Sequence, residues 1–271
     1  MLGPLVFGAV AALLLLVLDL GLRTAMGHAD ATAPGPRLLL AARVVAIFLL
    51  AATLATACRT EDLAGSAAWA ALFGAAGLAA FELALGLTMR PLRGVIAAAR
   101  GGNLAAAVAF AAHTVAVGIL VANAFGGTSW TDLGLAFGSL AVGLLTLVLL
   151  GLLWRLLTAY DDRARILGDN VAAGLAHGGL VIALALVIAH AADGEYLGPW
   201  PALREYGVAL AEGLLVWPLR QLVVQCLILR ARPTLYGGAL DRAIAEHGDV
   251  GAGALEAGTY LAVALFVVRL A

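Results

Sequence analysis

The fold this sequence predicts is all-α: a polytopic helical membrane protein of about eight transmembrane helices, built from repeated two-helix hairpins. Three observations predict it. Of 271 residues, 63% are hydrophobic and 12% charged, whereas a soluble domain carries about 25% charged residues. Several apolar runs reach the roughly 20 residues that a helix needs to cross a bilayer. One short pattern also recurs where apolar runs begin: GNLAAAVAFAAH from Gly102, GDNVAAGLAH from Gly168 and GDVGAGALE from Gly248. Such self-similarity is the mark of an internal repeat. Backbone in lipid must satisfy its own hydrogen bonds, which leaves helices and closed barrels. Runs this long and rich in Leu and Ala exclude barrel strands.

In order, the expected spans are 4–24, 37–58, 66–88, 103–124, 131–155, 170–192, 206–229 and 250–270. The first run, from Pro4 to Leu22, has no basic segment before it, so it reads as a retained helix and not a cleaved signal peptide. Loop 25–36 is a turn of small residues and Pro, and loops 59–65 and 125–130 are short. Loop 193–205 carries Asp193, Glu195, Pro199, Trp200 and Pro201 and belongs at the membrane interface. Trp217–Pro218 should kink the seventh span by removing a backbone donor. The chain has no lysine; its sixteen basic residues are all Arg, which with the Ala and Gly excess points to a GC-rich bacterial genome. Eleven of these Arg lie in or beside the loops after spans 1, 3, 5 and 7, against Arg59 and Arg204 on the other side. That bias places the first set in the cytoplasm and both termini in the periplasm.

Read by its opening motif, the membrane domain 1–271 divides into hairpins at 66–124, 131–192 and 206–271, with 1–58 a degenerate first copy. Asn103, Asn170 and Asp249 stand where helix N-caps belong. Arg90-Pro91-Leu92 followed by Gly102-Asn103-Leu104-Ala105-Ala106-Ala107, and Arg155-Leu156-Leu157 followed by Gly168-Asp169-Asn170-Val171-Ala172-Ala173, resemble the YjfL-type bacterial inner-membrane family (domain of unknown function 350). The resemblance is best from Arg90 to Ala192 and looser over 206–271, where Asp249 replaces Asn and Gly251 interrupts the alanines. It implies an inner-membrane address and a repeated-hairpin fold, with this chain carrying four hairpins where family members usually carry two. It brings no established activity. It implies a partner among envelope-stress or polyamine-related proteins.

Ionisable side chains inside hydrocarbon cost roughly 2.5–3.5 kcal/mol each on insertion scales, so each needs a reason. His177 and Glu256 both lie seven residues after their caps, and seven residues is about 700°, close to two full turns. They sit about 10 Å inward from the helix start, while Glu82 and Gln221 lie about 12–14 Å from the Arg that ends their helices. His113 and Arg220 fall slightly deeper, at about 15 Å. Glu82, His113, His177, Arg220, Gln221 and Glu256 therefore form one expected polar layer. Two readings stay open: interhelical hydrogen-bonding glue, at about 0.6 kcal/mol each, or a path for protons and ions. Asp19, four residues before Arg23, reads as a local structural pair. The run Asp161, Asp162, Arg163, Arg165 reads as a solvated loop.

Small residues mark the packing faces. Gly174 to Gly178 is a GxxxG step and Gly253 to Ala257 a small-xxx-small step, with Gly179 and Gly258 on roughly the opposite face. The even-numbered helices are thus expected to be central and the odd ones outside. No phosphate loop, nucleophile elbow, HExxH pair or Cys/His cluster is present, Cys58 and Cys226 stand alone, and the loops are too short for a catalytic domain. No enzyme, metal, cofactor or nucleic-acid partner is therefore expected. The favoured function is a channel- or transporter-like passage for protons or small cations. The alternative is a non-catalytic scaffold or anchor, and either form is compatible with a homo-oligomer.

Overall fold

The computed structural model describes residues 2–25, 34–57, 62–90, 94–194, 196, 198–214, 218, 221–232, 234 and 237–270. The described residues form helices and no strands: α1 (Leu2–Ala25), α2 (Pro34–Thr56), α3 (Leu63–Thr88), α4 (Val95–Arg100), α5 (Leu104–Ala124), α6 (Trp130–Leu157), α7 (Asp162–Leu167), α8 (Val171–Ala191), α9 (Pro199–Gly213), a π-helical segment (Gln221–Ile228), α10 (Ala239–Ala245) and α11 (Val250–Leu270). Seven of them (α1, α2, α3, α5, α6, α8 and α11) are long and apolar enough to cross a membrane.

The seventh expected span, 206–229, is not one helix. Its helical part starts earlier, at Pro199, where proline suits the first helical position, and stops at Gly213. Those 15 residues are too few to cross a bilayer alone. The chain resumes as a π-helix at Gln221. Of the expected kink, Trp217 lies outside the described residues; Pro218 lacks the donor that a continuous helix needs there.

Helices α2, α5, α8 and α11 pack side by side in a row, while α3, α6 and α9 each lie across a junction between two of them and α1 packs on α2 and α3. The two middle helices of the row are the most buried: 78% of the spanning window of α5 and 72% of that of α8, against 17% for α1, 28% for α6 and 44% for α3. Small residues let the row close. A Cβ on Gly174 would stand 2.7 Å from the Ala105 carbonyl oxygen, and one on Gly178 2.8 Å from the Ala112 Cβ. Gly253 lies as tightly against Ala172, and Gly179 against Ala257. With little hydrophobic drive between helices in lipid, such backbone approach supplies the packing energy.

The loops before α5, α8 and α11 are not plain turns. Each contains a short helix, α4, α7 or α10, and then a residue with positive φ: Gly102 (98°), Asp169 (61°) or Gly248 (62°). Capping then starts the next long helix. Asn103, Asn170 and Asp249 accept from the N–H groups of Ala106 (2.6 Å), Ala173 (3.0 Å) and Ala252 (3.1 Å). We call this the cap end of the bundle.

Candidate functional site

The polar residues fall into two separate groups, not one layer. The first joins α1, α2 and α3. Arg23 Nε donates to Asp19 Oδ2 (2.9 Å), Arg43 Nε donates to Asp19 Oδ1 (3.1 Å), and the Arg43 guanidinium also reaches Glu82. Arg43 further lies 5.4 Å over the Phe81 ring. Two guanidiniums and two carboxylates leave this group neutral, and Asp19 is 2% exposed. Glu82 is thereby held in an ion quartet and takes no part with the histidines. Asp19 pairs with Arg23 as its spacing suggests, but Arg43, hidden in an apolar run, is the hub.

The second group gathers between α5, α8 and α11 toward the cap end. His113 on α5 is buried and within electrostatic reach of His177 on α8. Neither ring nitrogen of either imidazole has a hydrogen-bond partner among the described residues. His177 Nδ1 lies 3.8 Å from Asp162 Oδ2, a separation at which protonation of the ring makes an ion pair. Asp162 is buried at 6% exposure, so the 161–165 run is not uniformly solvated. The neighbouring Asp161 instead caps α7 through Arg163 N and Ala164 N. Glu256, 3% exposed, lies on the neighbouring α11, and its charge reaches Tyr160 together with that of Asp162. One turn on, Tyr260 accepts a hydrogen bond from Trp154 Nε1 of α6 (3.0 Å). In the loop after α6, burial pushes the Tyr160 phenol well above its usual range, and the negative charges of Glu256, Asp162 and Asp241 push the same way.

Of the sequence-derived layer, therefore, His113 and His177 come together, Glu256 is linked to them by way of Tyr160 and Asp162, and Glu82 does not join them. Arg220 and the side chain of Gln221 lie outside the described residues. Asp162, Tyr160, Trp154 and Tyr260 complete the group. Among the described residues, no three His, Cys, Asp or Glu side chains are disposed to hold a metal ion.

At the opposite end of the bundle, a cavity of about 490 Å³ opens between the C-terminal ends of α5 and α8, the first half of α6 and α9. Asp132, Asp193, Glu205, Asn123, Ser139 and Tyr206 are among its lining residues. Tyr206 Oη donates to Thr146 Oγ1 (2.7 Å), one turn past the deepest lining residue of α6, Val142. Leu147, Leu150, Leu180, Leu184 and Val187, all buried, occupy the stretch of α6 and α8 between this cavity and the imidazoles. The cavity and the buried group are thus separated by apolar side chains.

The cap residues do more than start helices. Asn103 Nδ2 donates to the carbonyls of Ile166 and Leu167 at the end of α7 (both 3.1 Å), and Asn170 Nδ2 donates to the carbonyl of Ile244 in α10 (2.7 Å). Asp169 Oδ1 accepts from Ala105 N (3.0 Å). Each asparagine thus uses its oxygen within its own unit and its nitrogen on the next.

The family described as Domain of Unknown Function (DUF350) matches residues 127–270, more than half of the chain. The matched stretch runs from just before α6 to the end of α11 and holds every member of the buried imidazole group except His113. No curated protein and no solved structure matches.

Proposed function

This chain belongs to the DUF350 family, and from that premise we propose that it is an inner-membrane passage for protons or small cations and not an enzyme. One observation carries the reading: four imidazole nitrogens of His113 and His177 are buried without hydrogen-bond partners among the described residues, with the buried carboxylate of Asp162 3.8 Å from one ring and buried Glu256 on the neighbouring α11. Glue residues satisfy one another. Imidazoles kept free inside a bundle are suited to take up and release protons, since a neutral ring offers one acceptor and one donor. Glu256 supplies the negative charge that tolerates a protonated ring, and Asp162 stands at the cap end to exchange the proton with the Arg-rich side. The carboxylate-lined cavity collects cations at the other side, and the apolar barrier of α6 and α8 is the closed gate. Arginine bias puts the cap end in the cytoplasm and both termini in the periplasm, and the recurring cap units make the chain a tandem of hairpins.

The test uses purified protein in liposomes carrying an internal pH dye. His177→Ala and Glu256→Gln should each cut proton flux at least tenfold at unchanged reconstituted amounts. Flux equal to wild type in both variants sinks the reading. A second reading, a scaffold for a cytoplasmic or envelope-stress partner, is supported by the apolar barrier, which isolates the imidazoles from the cavity. It requires crosslinked partner recovery that depends on Arg93, Arg100, Arg163 and Arg165.

A further inference from the structure

Helices α2, α5, α8 and α11 run parallel and meet through one repeated register. Counting from the capping residue of α5, α8 and α11, and on α2 with Pro34 as position 1, position 4 of each helix rests on position 2 of the one before: Ala107 on Gly35, Gly174 on Ala105, Gly253 on Ala172. Position 8 rests on position 9: Gly178 on Ala112, Ala257 on Gly179. Each of the first three helices thus presents a face at positions 2, 9 and 13, and the next helix covers it. On α5 and α8 that face includes Ala105, Ala116, Ala172 and Ala183, each at most 1% exposed.

α11 carries the same face: Gly251, Gly258 and Ala262, all exposed. A Cβ on Gly258 would meet nothing within 4 Å. The face is continuous with an interface that the chain has already built three times, and nothing among the described residues covers it.

Neither end of the row accepts another row head to tail. At the cap end of α11 stands Asp249, which has no amide nitrogen to donate to a following unit as Asn103 and Asn170 do. On α2, positions 4 and 15 are Arg37 and Phe48, both exposed, where α5 has Ala107 and Gly118. Those bulky groups hold a backbone away. What remains is the self-complementary contact, α11 against α11 about a two-fold axis along the membrane normal. Such a closed isologous pair does not propagate into a filament.

We infer that this protein is a homodimer in the membrane, joined through the Gly251–Gly258–Ala262 face of α11. The test places single cysteines in full-length protein lacking Cys58 and Cys226, held in bilayers. Gly258→Cys should crosslink to a species of doubled mass on mild oxidation, and Leu145→Cys, on the exposed side of α6, should not. Gly258→Leu should weaken self-association at least tenfold in bilayers with unchanged melting temperature, because the site is empty within one chain. Equal crosslinking at 258 and 145, or undiminished association in Gly258→Leu, overturns the inference. Preferential crosslinking of Gly258→Cys to Arg37→Cys between two differently tagged copies also overturns it, in favour of head-to-tail assembly.

Discussion

Changing Asn170 to Asp isolates what the cap amide does between units. The aspartate keeps the oxygen that accepts from Ala173 N, and its charge suits the positive end of α8. What is lost is the donor to the Ile244 carbonyl, now 2.7 Å away. Stranding that half-buried acceptor opposite a carboxylate should cost about 1–3 kcal/mol. Asn170→Ala loses the cap as well, about 1 kcal/mol more. The reverse change, Asp249→Asn, restores the family-like residue, and its new amide meets no carbonyl of a following unit among the described residues; it should stay within about 0.5 kcal/mol of wild type. The assay is reversible unfolding in mixed micelles with increasing dodecyl sulfate, followed by tryptophan fluorescence. The ordering Asn170→Ala below Asn170→Asp, and both below Asp249→Asn, is required. If Asn170→Asp is as harmless as Asp249→Asn, the amide bridge contributes nothing and the explanation for aspartate in the last unit fails.

Two further outcomes follow from the same geometry. Arg43→Ala strands buried Asp19 with Arg23 alone and should destabilise by about 3–5 kcal/mol in the same unfolding assay; retention of wild-type stability would show that the quartet is not held together by its hub. Tyr160 should remain a neutral phenol where ordinary tyrosines ionise: its pKa is raised, so the neutral form persists as pH rises. Tyr160→Phe should therefore leave the phenolate absorbance curve of the folded protein unchanged below about pH 12, and a lost titration step near pH 10 would contradict its burial.

Distance along a helix can be counted in the sequence, and lateral neighbourhood cannot. A rise of 1.5 Å per residue ranks Glu82, His177 and Glu256 at similar depths, and a cap pattern announces where α5, α8 and α11 begin. Which helices touch depends on packing that no count of residues contains. Glu82 therefore joined the wrong group: it faces Arg43, whose own position inside span 2 hid it from any reading that looks for Arg in loops. Asp162 was masked differently. In a run of Asp161, Asp162, Arg163 and Arg165 only the helical twist of α7 turns one carboxylate inward to His177. The six-residue helices α4 and α7 are too short to show a periodicity. The break in the seventh span was half visible, through Pro218.

The asymmetry between the halves bears on what the architecture is for. Every helix of the row uses the same close-packed register, so packing alone places no demand on which polar residues the row encloses. The first half nonetheless neutralises its charges with one another: Asp19, Glu82, Arg23 and Arg43 balance and bond directly. The second half does the opposite. It buries two imidazoles without hydrogen-bond partners among the described residues, with Asp162 3.8 Å from one of them and buried Glu256 on the neighbouring helix. Buried unsatisfied polar atoms cost about 1–3 kcal/mol apiece, and the ion quartet shows that this fold can accommodate a satisfied alternative. A scaffold gains nothing from retaining the unsatisfied one. A protein that must move charge gains a group able to change its protonation, which is why the transport reading is placed on α5, α8 and α11 and not on the quartet.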